Sequence, residues 1–137
     1  MRQDNEYLRA LLLNIETLPK VDFNSGDIET LGYDLYDQTF ILHFRLLCDN
    51  GLIVPSGNSG FGFGYDGAHN FVWQNIVPLR ISAQGYDFLA AIRQSEVWDK
   101  LKKEFTDASI KTLISSGLKL AEAYAKKKVN ELLSDEA

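Results

Sequence analysis

DLYDQTFILHFRLLCDNGLIVP, residues 34–55, is a helical apolar pattern, then a glycine, then a short run of strand formers. Phe40, Phe44 and Leu47 recur at three- and four-residue spacing, which turns one helix face onto a core. Asp34 and Asp37 suit the first turn of a helix over Asp34–Asn50, and Gly51 stands where a C′ residue belongs. Leu52-Ile53-Val54 continues as a strand. Residues 55–70 (PSGNSGFGFGYDGAHN) hold five of the ten glycines and read as a long loop.

Upstream, Tyr7, Leu8, Leu11, Leu12, Ile15 and Leu18 form one apolar stripe, so a helix is expected over 4–18, stopped by Pro19. Val21-Asp22-Phe23 alternates as a short strand does, and Asn24-Ser25-Gly26-Asp27 reads as a turn or helix cap. A short helix over Asp27–Leu31, ended by Gly32, follows. Downstream, Phe71-Val72-Trp73 and Val77-Pro78-Leu79-Arg80-Ile81 are expected as two sides of a strand pair or its continuation. Ser82 suits an N-cap for a helix through about Arg93, with Gly85 letting that helix lie close on the sheet. Ser95 suits the cap of another helix carrying Val97, Trp98, Leu101 and Phe105. Residues 109–133 make one long helical pattern of about 37 Å at 1.5 Å per residue.

That order of elements is the order of a winged helix-turn-helix domain. The expected fold class is therefore α+β: a winged-helix core over 1–94 with a small antiparallel β-wing at 55–72, and a C-terminal helical extension over 95–137. The extension either packs on the core or serves self-association.

Charge is unevenly spread. Residues 1–58 hold four bases against nine acids, 59–95 two of each, and 96–137 eight lysines against eight acids. The net charge of −5 argues against a protein that binds nucleic acid through phosphate attraction. No apolar run approaches the roughly 18 residues of a membrane span, and the N-terminal residues lack the pattern of a signal peptide. The single cysteine, Cys48, cannot form an internal disulfide. A cytoplasmic location is expected.

Four blocks carry a family resemblance: RQDNEYLRALLLNIE (2–16), GYDLYDQTFILHFRLLCDNGLI (32–53), RISAQGYDFLAAIRQSEVWDKLKKEF (80–105) and DASIKTLISSGLKLAEAYAKKK (107–128). In this order they resemble the bacterial and phage domain-of-unknown-function family 2513. RISAQGYDFL also resembles the Leu-Thr-x-x-Gly element of many winged-helix regulators, with Ile81 and Ser82 standing where Leu and Thr are usual. The resemblance implies a winged-helix domain common in prophages and mobile elements, and no assigned activity.

A winged helix that reads DNA lays its second helix in the major groove and reaches base edges with Arg, Lys, Asn or Gln. Here that helix offers only Gln38, His43, Arg45 and Asn50 alongside three aspartates, and the wing from Pro55 to Trp73 has no Lys or Arg. Lys126, Lys127 and Lys128 could touch backbone phosphates, though a solvated helix end explains them as well. After the core stripe is assigned, Ile41, Leu42 and Leu46 remain on flanking or opposite faces. A helix apolar nearly all round is a covered helix. The cover is either the C-terminal helices or a second protein.

Phe61 and Phe63, between glycines, are the wing residues expected at the surface, with Tyr65, His69, Phe71 and Trp73 packing across strands. The glycines lack the lysine and following helix of a phosphate loop. Ile114, Leu118, Ala121, Ala125, Val129 and Leu132 form a stripe suited to a homodimer seam or to internal packing. His43 and His69 lack a local catalytic partner pattern, and no cluster has metal-ligand spacing. The expectation is thus a non-enzymatic interaction or regulatory module without cofactor, metal or small-molecule ligand, bound by a protein partner or a second copy. The alternative is a DNA-binding transcriptional regulator.

Overall fold

A computed structural model describes residues 1–67 and 70–135. The chain divides into two compact units, Met1–Tyr86 and Asp87–Ala137.

In the first unit, α1 (Asn5–Glu16) starts because the Asp4 carboxylate accepts the Glu6 and Tyr7 N–H groups at 3.0 and 3.2 Å. It buries Leu8, Leu11, Leu12 and Ile15. It stops before Leu18, because the Thr17 hydroxyl donates to Asn14 O and Pro19 follows two residues on. The strand expected at Val21–Phe23 shrinks to one residue. Phe23 exchanges both backbone hydrogen bonds with Leu79, at 2.8 and 2.7 Å, while Val21 is exposed. α2 (Ser25–Thr30) begins two residues earlier than expected, through a reciprocal capping box between Asn24 and Asp27. Lys20 lies 3.0 Å from Asp27 and, with that cap, holds its carboxyl below the usual carboxylate range.

α3 (Gln38–Asp49) starts four residues after Asp34. Asp34 is spent on a local turn, accepting the Tyr36 N–H at 2.9 Å, and Asp37 is the true cap, accepting from Phe40 at 3.0 Å. Its other end is a Schellman closure: Gly51 at φ 71° donates to Cys48 O and Leu52 donates to Leu47 O. The chain then enters β1 (Ile53–Pro55).

β1 pairs antiparallel with β4 (Leu79–Ile81), Ile53 opposite Ile81. With Phe23 bridged to Leu79, β4 lies between β1 and that residue. β2 (Tyr65–Asp66) and β3 (Val72–Trp73) form a separate antiparallel hairpin. Phe71–Trp73 and Val77–Ile81 are therefore not partners of each other. Gly64 accounts for the difference. At φ 90° its carbonyl takes the N–H groups of Gln74 and Asn75, at 2.8 and 3.1 Å, turning the chain before β4. The architecture is α+β, helices together with two small antiparallel sheets.

α4 (Ala83–Ile92) is fastened to this sheet by Ser82. Its hydroxyl donates to Gly51 O at 2.5 Å and accepts the Gly85 N–H at 3.0 Å. A Cβ on Gly85 would stand 2.5 Å from Leu52 O and 2.7 Å from the Ile81 side chain. Gly85→Ala is accordingly expected to cost about 1–3 kcal/mol of stability in urea denaturation, by overpacking against backbone. A variant as stable as the parent would mean that this helix does not lie so close.

In the second unit α4 continues, followed by α5 (Ser95–Glu104) and α6 (Ile110–Asp135). Ser95 is the first helical residue rather than the cap, a place taken by Gln94 without a side-chain bond. α6 approaches closely at Gly117, where a Cβ would meet Leu101 at 3.2 Å and Phe88 at 3.4 Å.

Candidate functional site

The outer side of α3 was the site expected from the sequence. Its inner side is fixed by Phe40, Phe44 and Leu47, all fully buried. Ile41 is nearly as covered, at 6% exposure, so it belongs mostly to the interior. Leu42 and Leu46 are half-buried, and Gln38, Arg45 and Asp49 are exposed. Together with Met1 these residues line an open groove of about 370 Å³. The sequence reading supplied Gln38, Ile41, Leu42, Arg45 and Leu46 of this group. It missed Met1, which carries no signal of its own, and Asp49, read only as part of an acidic balance.

His43 does not belong to that face. Its side chain is wholly buried, so it offers no ring nitrogen to a base edge. The Asp4 N–H donates to His43 Nε2 at 2.8 Å, and the Nδ1–H donates to Thr39 O at 2.7 Å. That pair of bonds requires the neutral ring with its proton on Nδ1. His43 thus ties the first residues of α1 to the middle of α3, with the Tyr7 ring 4.7 Å away.

Arg45 is exposed but engaged. Its guanidinium carbon sits 5.8 Å from the centre of the Tyr65 ring, and its Nη1 lies 3.2 Å from the Cβ position of Gly67. The hairpin therefore draws the one cation of α3 toward itself.

Behind this face runs a continuous series of rings: Tyr7, Tyr33, Phe40, Phe44, then Trp73 and Tyr65, with neighbouring centroids 5.4–6.4 Å apart. Phe71 packs on both Tyr65 and Trp73, and the Trp73 indole N–H donates to Leu35 O at 3.0 Å. Phe63 stacks on Tyr65 and is half-buried, whereas Phe61 is 57% exposed. Neither residue lines the α3 groove. His69 lies outside the described residues. Lys126, Lys127 and Lys128 are exposed on α6, with Lys126 near Glu122 at 3.8 Å.

Burial dominates the ionisation of this region. It pushes the Tyr7 and Tyr65 phenols up to about 12, helped by Tyr33 and Asp37 at the first and by Cys48 and Asp49 at the second. It raises the Cys48 thiol as well, which keeps the sulfur a poor nucleophile. Both phenols hold their protons more tightly folded than unfolded. Their contribution to stability is complete below about pH 10 and is lost as pH climbs toward 12. Urea midpoints across that window are expected to fall, and to fall less in Tyr7→Phe and Tyr65→Phe. Equal slopes in all three proteins would contradict the burial of these rings.

Among the described residues no group of three or more His, Cys, Asp or Glu is placed to hold a metal. Among them, too, no helix is long and apolar enough to cross a membrane.

The molecule is thus a small α+β protein in which one helix face, along α3, leaves aliphatic side chains half-exposed beside a single exposed acid and a single exposed base. The sequence model of the family described as "Hypothetical protein (DUF2513)" matches residues 2–111, and the chain belongs to that family. The match ends at the start of α6. No curated protein and no solved structure matches the chain.

Proposed function

We propose that this is a non-enzymatic protein-interaction module on a winged-helix scaffold, and that the groove along α3 receives a segment of another protein. The order α1, Phe23, α2, α3, β1, β4, α4 supports the winged-helix reading, with the β2–β3 hairpin carried between the two wing strands. One observation carries the function: Leu42 and Leu46 remain half-exposed beside Ile41, on the helix that a DNA reader would need polar and basic. Two of the three residues expected to read bases are unsuited, His43 being internal and Arg45 lying over Tyr65, which leaves Gln38 exposed on this face. The first unit also carries the whole net charge of −5, with five bases against ten acids over residues 1–86. An apolar segment flanked by basic residues is the ligand this chemistry fits.

A displayed random-peptide library selected on the protein, and counter-selected on a Leu42→Glu/Leu46→Glu variant, tests this. Peptides with apolar anchors and nearby Lys or Arg are expected to bind the parent and not the variant. Enrichment that is identical on both proteins would overturn the assignment of the groove.

A further inference from the structure

α6 changes character along its length. Ile110, Leu113, Ile114 and Gly117 are buried, and the helix approaches Leu101 and Phe88 at Gly117. Beyond that, the stripe of Leu118, Ala121, Ala125, Val129 and Leu132 keeps its three- and four-residue spacing while its cover disappears. Every residue from Ala125 to Asp135 is exposed, with Val129 and Leu132 at 52% and Leu133 at 60%. The full stripe is therefore not one seam, because its first part is spent within the second unit. From Glu122 to Asp135 the helix runs roughly 21 Å with an open aliphatic edge, and helix propensity alone supports a segment of that length weakly.

We propose that this distal half of α6 pairs antiparallel with the same segment of a second copy. The charge order supplies the argument. Lys126–Lys128 are followed by Glu131 and Asp135, a sequence that opposes itself favourably only when the helices run in opposite directions. Lys128, Glu131 and Asp135 share one flank of the stripe by their helical spacing. Placing Val129 opposite the second copy's Leu132 brings residues 126–135 of the two copies side by side and sets Lys128 level with the gap between the second copy's Glu131 and Asp135. In an antiparallel pair that flank meets its own counterpart. In a parallel pair it would meet the other flank, which carries Glu122, Lys126 and Leu133. The aliphatic edge supplies the affinity, and the exposed charges set the direction. This pairing concerns a different surface from the α3 groove and does not depend on it.

Sedimentation equilibrium from about ten micromolar to about a millimolar tests the pairing, since an interface this short lies at the weak end of specific association. A monomer–dimer equilibrium is expected within that range. Val129→Glu/Leu132→Glu is expected to weaken it at least about tenfold, with no change in melting temperature at dilutions where the parent is also monomeric, because both side chains are exposed. Lys128→Glu and Glu131→Lys are each expected to weaken it about threefold, and the double swap to associate more tightly than either single variant. A monomer throughout the range would overturn the proposal, as would a dimer indifferent to Val129→Glu/Leu132→Glu. A double swap no tighter than the singles would overturn the antiparallel direction.

Discussion

Phe44→Ala is expected to lower the unfolding free energy by about 3–5 kcal/mol, the largest effect of any single truncation in the first unit. Phe44 is fully buried and sits where three parts of the fold converge. Its ring stacks on Phe40 at 5.4 Å and meets Trp73 and Tyr65 at 5.6 and 6.4 Å. Truncation therefore removes one ring and loosens both the helix and the hairpin, and collapse into the void is resisted by neighbours that are themselves large and planar. Small proteins have only about 5–15 kcal/mol of stability in total, so the variant would unfold well before the parent in urea. Phe44→Leu, which keeps most of the volume, is expected to cost about 1.5 kcal/mol or less. Both values follow from denaturant titrations read by tryptophan fluorescence, since Trp73 is one of the three rings that Phe44 touches. A cost below about 1 kcal/mol for the alanine variant would mean that the ring series is not the centre of the unit.

The second large effect belongs to His43. His43→Ala is expected to cost about 3–4 kcal/mol, combining a buried cavity with the loss of the acceptor for the Asp4 N–H. His43→Phe separates these contributions. It keeps a ring of similar shape but removes the acceptor of the partly buried Asp4 N–H, a loss of about 1 kcal/mol where water can take the acceptor's place. Amide hydrogen exchange at Asp4 and through the first turn of α1 is expected to quicken in both variants, because the cap of that helix hangs from His43. A His43→Phe protein with unchanged stability and unchanged exchange at Asp4 would contradict the structural role given to this histidine.

Local signals in the sequence were legible where local chemistry decides the outcome. The apolar stripe of α3 and the left-handed Gly51 behind it are both properties of a few consecutive residues, and both are present in the fold. Asp34 shows the limit of that approach. Two aspartates three apart both suit a helix start, and only the geometry reveals that the first closes a turn while the second caps the helix. Strand pairing was less readable. Val72–Trp73 and Leu79–Ile81 are both too short to declare a partner, and Gly64 receives Gln74 and Asn75 across the loop between them and β2.

The candidate site divides along the same line. Leu42 and Leu46 were visible as aliphatics left over once the core stripe was assigned, and they do line the groove. His43 was not readable, since its partner is a backbone N–H 39 positions away. Arg45 looked free because nothing near it in sequence announces Tyr65 or Gly67. For α6, periodicity named the face but not what covers it, so Ile114 and Val129 share a stripe and differ completely in exposure.

Protein, rather than nucleic acid, is the occupant proposed for the α3 face. Fluorescence anisotropy of a labelled random-sequence DNA duplex, titrated with the protein at low salt and again as salt is raised, tests it most directly. No retention attributable to α3 is expected, so that Arg45→Ala and Gln38→Ala leave the titration unchanged. Tight binding that weakens steeply with salt, and that either substitution reduces severalfold, would contradict it.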